Sequence, residues 1–138
     1  MLDPLVNFPG YLLRRASAAS FAVLTTRLAL IGLRPTEASI LTLIAYNPHA
    51  TQSDIGSHLG VHRANMAPIV ARLEEQGWLV RQPIDGRSQG LALTAEGAVA
   101  QKQAWSEMQS HEARLSARIP PEHRDHVLPI LNALSGRM

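Results

Sequence analysis

The stretch that decides the fold reads Gln52-Ser-Asp-Ile-Gly-Ser-His-Leu-Gly-Val-His-Arg-Ala-Asn-Met-Ala-Pro-Ile-Val-Ala71. Two short helices that cross at a steep angle need a small residue at the crossing and a glycine of positive φ in the turn. Gly56 and Gly60 occupy those two positions. The stretch therefore predicts a helix–turn–helix, since the inner positions that must be apolar hold Ile55, Leu59, Val61, Met66 and Ile69.

The second of these helices is predicted from about residue 62 to residue 76, and it contains Pro68. A proline nitrogen carries no proton, so Pro68 cannot donate a hydrogen bond to the carbonyl of Ala64. We therefore expect a kink or an irregular start in this helix. Such a distortion would tilt the first residues of the helix relative to the rest.

The first turn of the second helix holds the candidate DNA-reading side chains. In a helix–turn–helix the second helix enters the major groove, and its N-terminal residues meet the base edges. Arg63 can bond guanine and Asn65 adenine, each through two hydrogen bonds. Two less specific interpretations stay open: Arg63 contacts phosphate only, and Asn65 merely caps the helix. The candidate set is His62, Arg63, Ala64, Asn65 and Ala67.

A β-hairpin is predicted directly after the second helix. Two short strand-like segments, 78–82 and 89–93, flank a turn that contains Asp85–Gly86. A hairpin at this place is a wing, which can put a basic side chain in or beside the minor groove. Arg87 lies at the predicted tip and Arg81 at the base, so both are candidate DNA contacts. Alternatively, the turn is simply exposed to solvent, or Arg87 forms a salt bridge with Asp85.

The two ends of the chain are predicted to be helical and rich in apolar residues. Residues 9–31 form one predicted helix, and Thr94 caps a long helix that Pro120–Pro121 breaks before a last one. A monomer would leave these apolar faces exposed, which soluble proteins avoid. The ends therefore predict a homodimer, through residues such as Leu12, Leu13, Val23 and Leu24 at one end and Val127, Leu128, Leu131 and Leu134 at the other.

Composition narrows the function classes. The chain has 138 residues, of which 46% are apolar and 4% aromatic, and this favours one mainly helical domain. It has no cysteine, which excludes disulfides, thiolate metal sites and thiol redox sensing. No apolar run reaches the roughly 18 residues of a membrane helix. We therefore expect a cytoplasmic protein, and nothing in the sequence predicts a cofactor.

Two observations support alternative functions. Residues 51–94 carry four arginines and four acidic residues, so the predicted DNA-binding half is neutral overall. This keeps a winged-helix protein–protein interaction module open as the alternative function. His123 and His126, with Glu122 nearby, have the spacing of neighbours on a helix face. However, two histidines are too few for a metal site, so we expect neither a metal nor catalysis.

The chain resembles the MarR family of bacterial regulators over nearly its whole length. The resemblance rests on Leu33-Arg-Pro-Thr-Glu-Ala38, Thr51-Gln-Ser-Asp-Ile-Gly-Ser-His-Leu-Gly-Val61, Ala71-Arg-Leu-Glu-Glu-Gln-Gly77 and Asp85-Gly-Arg-Ser-Gln-Gly-Leu-Ala-Leu-Thr94, extended by Ala95-Glu-Gly97. It implies a single domain over 1–138, with dimerisation helices at 9–34 and 95–138 and a winged helix–turn–helix at 35–94. It also implies a homodimer that binds a pseudo-palindromic operator in double-stranded DNA, most often as a repressor. Pro68 is a departure, because the family commonly has a polar or basic residue there.

The resemblance further implies a site for a small, often phenolic, ligand that releases the DNA. It places the pocket between the winged domain and the dimerisation helices, lined partly by the first helix. In this chain Arg14 or Arg15 could pair a carboxylate, and Tyr11 or Trp105 could offer an aromatic wall. A small aromatic acid is therefore the expected ligand. The alternative is that both arginines face solvent or form salt bridges between subunits.

Overall fold

The structure is a computed structural model that describes residues 1–136. Its helices are α1 (Pro9–Ala29), α2 (Pro35–Tyr46), α3 (Gln52–Leu59), α4 (Arg63–Glu75), α5 (Ala95–Ala117) and α6 (Arg124–Leu134), with 3₁₀ turns at Pro4–Asn7 and Pro121–His123. Strands β1 (Leu79–Pro83) and β2 (Gln89–Leu93) pair antiparallel, with Leu79 opposite Leu93. The predicted mainly helical fold with one hairpin is confirmed, and the 3₁₀ turn before α1 was not predicted.

Local capping explains where the central helices begin and end. Thr51 Oγ1 accepts the N–H of Asp54 at 3.1 Å, and the Asp54 carboxylate accepts the N–H of Thr51 at 2.9 Å. This reciprocal pair fixes the first turn of α3. Gly60 ends α3 with φ of 68°, and Gly77 follows α4 with φ of 76°. Both glycines adopt the left-handed conformation that other residues rarely adopt, as the sequence predicted for Gly60.

Backbone contacts divide the chain into two compact units, residues 1–107 and a second unit that begins at Met108. The division falls inside α5 and not at residue 95, and the single-domain boundaries stay a prediction. The core of the first unit comes from α2, α3, α4, the hairpin and the first half of α5. Its buried apolar residues include Ile40, Leu41, Ile55, Met66, Val70, Leu73, Leu79, Leu91 and Ala104.

The start of α5 packs tightly on the segment that leads into the hairpin. A Cβ added to Gly97 would lie 1.9 Å from the carbonyl oxygen of Trp78, so only glycine fits there. The Trp78 carbonyl also accepts the N–H of Thr94 at 3.1 Å. Thr94 Oγ1 donates to the carbonyl of Gly77 at 2.6 Å and accepts the N–H of Gly97 at 2.9 Å. The predicted cap at Thr94 is confirmed, and it ties α5 to the end of α4.

The second unit contains the end of α5, the turn at Pro120–Pro121 and α6. The two prolines end the long helix as predicted. Helix α6 continues through Pro129 and has no buried residue. Its apolar side chains Leu128, Ile130, Leu131 and Leu134 are exposed. Within residues 1–136, no helix is long and apolar enough to cross a membrane.

Candidate nucleic-acid interface

Helices α3 and α4 meet at Gly56. A Cβ on Gly56 would lie 2.9 Å from Cγ of Met66 and 3.4 Å from the carbonyl oxygen of Val61. Ile55 and Met66 are buried beside this contact. The glycine therefore lets the two helices approach closely, and the predicted helix–turn–helix is present.

The N-terminal turn of α4 presents its predicted DNA-reading residues to solvent. His62, Arg63, Ala64, Asn65 and Ala67 are all exposed, whereas Met66 between them is buried. His62 is the N-cap residue, and no side chain caps the helix there. The alternative that Asn65 merely caps the helix is therefore wrong. Asn65 is exposed, and its contact with a base edge stays a prediction.

Pro68 lies on the exposed side of α4, which is one continuous helix from Arg63 to Glu75. Because Pro68 has no N–H, the helical bond to the carbonyl of Ala64 is missing. The first turn of the helix is tight, because the N–H of Asn65 bonds to the carbonyl of His62, three residues earlier, at 2.9 Å. A kink at Pro68 stays a prediction.

Arg81 joins the hairpin to both helices of the helix–turn–helix. Its Nε lies 3.2 Å from Glu74 Oε1, and its Nη2 donates to Gln52 Oε1 at 3.0 Å. The guanidinium is therefore neutralised by a carboxylate and held by an amide. As a direct DNA contact Arg81 stays a prediction, and the structure gives it a second role in holding β1 against α3 and α4.

The hairpin tip is shaped by Asp85, which accepts the backbone N–H groups of Arg87 and Ser88, each at 2.8 Å. These two bonds favour the charged carboxylate and lower the pKa of Asp85. The alternative of a salt bridge between the side chains of Asp85 and Arg87 is wrong, because no such bridge forms between the described residues. The guanidinium of Arg87 is thus exposed at the tip without an acidic partner in residues 1–136.

Sequence reasoning missed the ion pair between Glu37 and Arg72. Glu37 is 2% exposed, and its carboxylate accepts from the Arg72 guanidinium and from the N–H of Arg34 at 2.9 Å. Arg72 also donates to the carbonyl of Gly32 at 3.3 Å. The pair attaches α4 to the start of α2. The one available signal was the acidic residue in the first turn of α2, which by itself predicts only a helix cap.

These contacts explain how a neutral segment can present positive charge. Arg72 and Arg81 are paired with Glu37 and Glu74, and the carboxylates of Asp54 and Asp85 are engaged with backbone N–H groups. Arg63 forms no ion pair with any residue in 1–136, and neither does Arg87. The free cations of this segment are therefore at the start of α4 and at the hairpin tip.

The predicted ligand residues are only partly brought together. On α1, the hydroxyl of Tyr11 donates to Asp3 at 2.9 Å and accepts from Arg15 at 3.4 Å. The guanidinium carbons of Arg14 and Arg15 lie 5.8 and 5.6 Å from the centre of the Tyr11 ring. Trp105 instead contacts Tyr46, with ring centres 6.3 Å apart. Three surface cavities lie in the first unit, and none of these four predicted residues lines any of them.

The two histidines that the sequence places on one helix face lie near the end of the chain, His123 in the 3₁₀ turn and His126 in α6. The rings of His123 and His126 lie with their centres 6.5 Å apart. In the part of the chain that the structure describes, no three His, Asp or Glu side chains are grouped closely enough to hold a metal ion.

Comparison with known proteins gives one consistent result. The family model described as the MarR family matches residues 31–88. A regulatory protein for the hcr operon of Thauera aromatica is 30% identical over 132 residues, which cover 91% of this chain and 77% of that protein. The transcriptional repressor CouR, solved bound to a 23-mer DNA duplex, superposes with a TM-score of 0.89 at 31% identity, over 98% of this chain and 99% of CouR.

A third similar protein was solved with an aromatic acid. The MarR family protein of Mycobacterium tuberculosis in complex with salicylic acid has a TM-score of 0.74 at 26% identity, over 91% of this chain and 95% of that one. The fold, the exposed start of α4 and these similarities agree. The chain therefore belongs to the MarR family of transcriptional regulators.

Proposed function

We propose that this chain is a homodimeric, sequence-specific DNA-binding regulator that represses a promoter in the cytoplasm, and that it is not an enzyme. The observation that carries the proposal is the pair of exposed, unpaired arginines, Arg63 at the start of α4 and Arg87 at the hairpin tip. The similarity to CouR, which was solved on a DNA duplex, supports the same function.

The two arginines have different roles in this proposal. Arg63 and Asn65 read base edges in the major groove, with His62, Ala64 and Ala67 forming the rest of the contact surface. Arg87 contacts the phosphate backbone or the minor groove. Arg81 acts mainly by positioning, because Glu74 and Gln52 already hold its guanidinium. In this proposal the hairpin fixes the position of the protein on the DNA, and α4 reads the base sequence.

A homodimer explains the apolar surface at the two ends of the chain. Leu12, Leu13 and Val23 of α1 are exposed, as are Leu128 and Leu131 of α6. A second copy of the chain would cover such surfaces. A dimer also presents two copies of α4, which is the arrangement that a pseudo-palindromic operator requires.

Binding of a small aromatic acid near α1 is the proposed means of release. The cluster of Tyr11, Arg14 and Arg15 supplies an aromatic ring and two guanidinium groups on adjacent turns. The relative solved with salicylic acid supports this ligand class. Trp105, which packs on Tyr46, would contribute from a different helix. The ligand lowers DNA affinity only if it binds the DNA-incompetent dimer more tightly.

Gel-shift titration with the DNA upstream of the chain's own gene tests the proposed function. We expect Arg63→Ala to cost about 1–3 kcal/mol on the operator and to relax specificity at one base pair. Arg87→Ala should weaken operator and random DNA alike and flatten the salt dependence. The control is Arg114→Ala, which removes the same charge from the exposed surface of α5.

The outcomes separate the candidate functions. Equal loss on operator and random DNA for Arg63→Ala would refute base reading by Arg63. Failure of the wild type to retain any upstream fragment at low salt would favour the protein–protein interaction module. For the ligand, aromatic carboxylates should release DNA from the wild type, and Arg14→Ala or Arg15→Ala should respond less. Unchanged responses in both variants would refute the role of the α1 cluster.

A further inference from the structure

Pro68 lies in the second turn of α4, on the outer face of the helix that carries the proposed DNA-reading residues. Proline is the least favourable residue in a helix interior, because it removes a backbone hydrogen bond and its ring crowds the preceding turn. Pro68 is exposed, so its ring adds nothing to the buried inner face formed by Met66, Val70 and Leu73. The stability of the fold therefore does not explain a proline at this position.

The neighbours of Pro68 on the outer face leave its ring accessible. Residues three and four positions apart lie side by side on a helix, with Cβ atoms about 5–6 Å apart. Ala64 and Ala71 occupy two of these positions, are exposed, and have single methyl groups as side chains. Asn65, the proposed adenine reader, occupies a third. The fourth is Arg72, whose guanidinium is held in its ion pair with the buried carboxylate of α2. A DNA surface that approaches this face therefore meets the proline ring.

The chemistry of the ring limits what it can recognise. It carries no charge, and it has no hydrogen-bond donor or acceptor to offer to a base edge. In the major groove the apolar group that a base presents is the C5 methyl of thymine. A proline ring that faces the groove can therefore favour thymine by contact with this methyl, whereas it forms no hydrogen bond with any base.

We propose that Pro68 is a specificity-determining residue that contacts a thymine methyl in each half of the operator. The inference rests on the proposed function, because it requires α4 to lie in the major groove, and it adds a base that Arg63 and Asn65 do not read. Pro68 and Asn65 are neighbours about 5–6 Å apart on the outer face, and base pairs stack about 3.4 Å apart. The thymine therefore lies within about two base pairs of the adenine that Asn65 reads.

Replacement of single thymines by deoxyuridine tests the proposal, since uracil pairs as thymine does and lacks only the methyl group. The probe is a duplex that the wild-type protein selects from a pool of random sequences, and fluorescence anisotropy measures the affinity for each replacement. We expect one replacement in each half-site to weaken wild-type binding about fourfold, the effect of one methyl group that leaves an apolar contact. Selection with Asn65→Ala locates the adenine, and this fixes where the thymine must lie.

Two substitutions of Pro68 form a matched pair. Pro68→Val keeps an apolar side chain and Pro68→Ser does not, while both restore the N–H that can bond to the carbonyl of Ala64. The change in the backbone is therefore common to the two variants. Deoxyuridine at the sensitive position should weaken binding by Pro68→Val about as much as binding by the wild type, and it should leave Pro68→Ser unaffected. Both variants should melt at or above the wild-type temperature, because each removes a proline from inside a helix.

Three results would overturn the proposal and leave the proposed function standing. In the first, the wild type selects a duplex and needs Arg63 for it, but deoxyuridine has no effect at any thymine within about two base pairs of that adenine. In the second, Pro68→Ser is as sensitive to deoxyuridine as the wild type. In the third, both variants lose the sensitivity, which would assign it to the backbone change and not to the ring. A wild-type protein that selects no duplex would refute the proposed function, and this inference with it.

Discussion

The middle of the chain and its two ends differ in how far their apolar side chains are buried. Between Leu28 and Ala104, side chains from α2, α3, α4, the hairpin and α5 bury one another. In α1, before Leu28, no residue is buried, and α6 has none either. The middle therefore has a core of its own, whereas the ends need something else to cover them.

The same contrast applies to polar contacts. In the middle, a buried carboxylate on Glu37 is paired with Arg72, and Arg81 connects three elements. Near the start of the chain, Arg15 lies 3.8 Å from Asp3 at a largely exposed position. Contacts in the middle thus fix the position of α4, and the contact of Arg15 with Asp3 holds only a local turn. Substitutions matched between the two regions test this difference.

The largest expected effect comes from adding one methyl group to the middle. Gly97→Ala places its Cβ 1.9 Å from the Trp78 carbonyl, which is backbone and cannot move aside. We expect a loss of unfolding free energy of about 4 kcal/mol, above the usual range for overpacking. Urea unfolding measures it. The matched control is Gly10→Ala in α1, where nothing lies within 4 Å, and it should stabilise by up to about 1 kcal/mol.

Comparable losses of unfolding free energy for the two alanine variants would show that the ends are packed as tightly as the middle. A Gly97→Ala protein of wild-type stability would show that α5 can move away from the Trp78 backbone at little cost.

The next largest effect is expected from removing the cation that pairs with the buried Glu37 carboxylate. Arg72→Met leaves the Glu37 carboxylate buried without a cation, and we expect a cost of about 3 kcal/mol. Arg15→Met at the exposed end should cost about 0–1 kcal/mol. Chemical denaturation of both variants at neutral pH gives the two values. If Arg72→Met lowers the unfolding free energy no more than Arg15→Met does, then α4 is not attached to α2 through this pair.

A smaller effect is expected on assembly. Leu128 is 72% exposed on α6, and we expect Leu128→Ala to raise the dimer dissociation constant at least about tenfold, or about 1.4 kcal/mol. Ile84→Ala, at an apolar position of the hairpin that is 41% exposed, should leave it unchanged. Analytical ultracentrifugation reports both. A wild-type particle of 15.0 kDa, the mass of one chain, at micromolar concentration would exclude the dimer.

The smallest effect concerns the hairpin tip. The N–H groups of Arg87 and Ser88 lower the pKa of Asp85 below its ordinary 3.8. A carboxyl group with a lowered folded-state pKa stabilises the fold above its unfolded pKa, and this contribution is lost as pH falls through the folded value. NMR of the Arg87 and Ser88 amides should therefore show a transition with a midpoint below pH 3.8. In Asp85→Asn the transition should disappear, and its persistence would assign it to another group.

Sequence alone predicted those parts of the structure that depend on local rules. Gly60 marked the turn after α3 because glycine adopts the left-handed conformation more readily than other residues. Thr94 marked a helix start because a hydroxyl can accept an N–H within the next turn. The exposed face of α4 followed from the spacing of apolar residues on its inner face. Each of these rules operates within about four residues.

The features that sequence did not predict join residues far apart. Glu37 and Arg72 are 35 positions apart, and Gln52 and Arg81 are 29 apart. A list of charges does not say which cation meets which anion, so Arg81 could be counted only as a positive residue near the hairpin. A cavity of about 420 Å³ is likewise lined by residues of α2, β1, β2 and α5, and no motif marks it. The grouping of Trp105 with Tyr46 depended on the same long-range geometry.

The alternation of exposed and buried residues along α4 has a consequence for how such a regulator could acquire a new operator. His62, Arg63, Asn65 and Ala67 have no part in the buried core, whereas Met66, Val70 and Leu73 make up the inner face. If the outer face reads the bases as proposed, substitutions there should change the preferred bases at little cost in stability. The preferred operator can then change while the stability of the fold stays the same. A small library randomised at those four outer positions should yield folded proteins that bind altered DNA sequences.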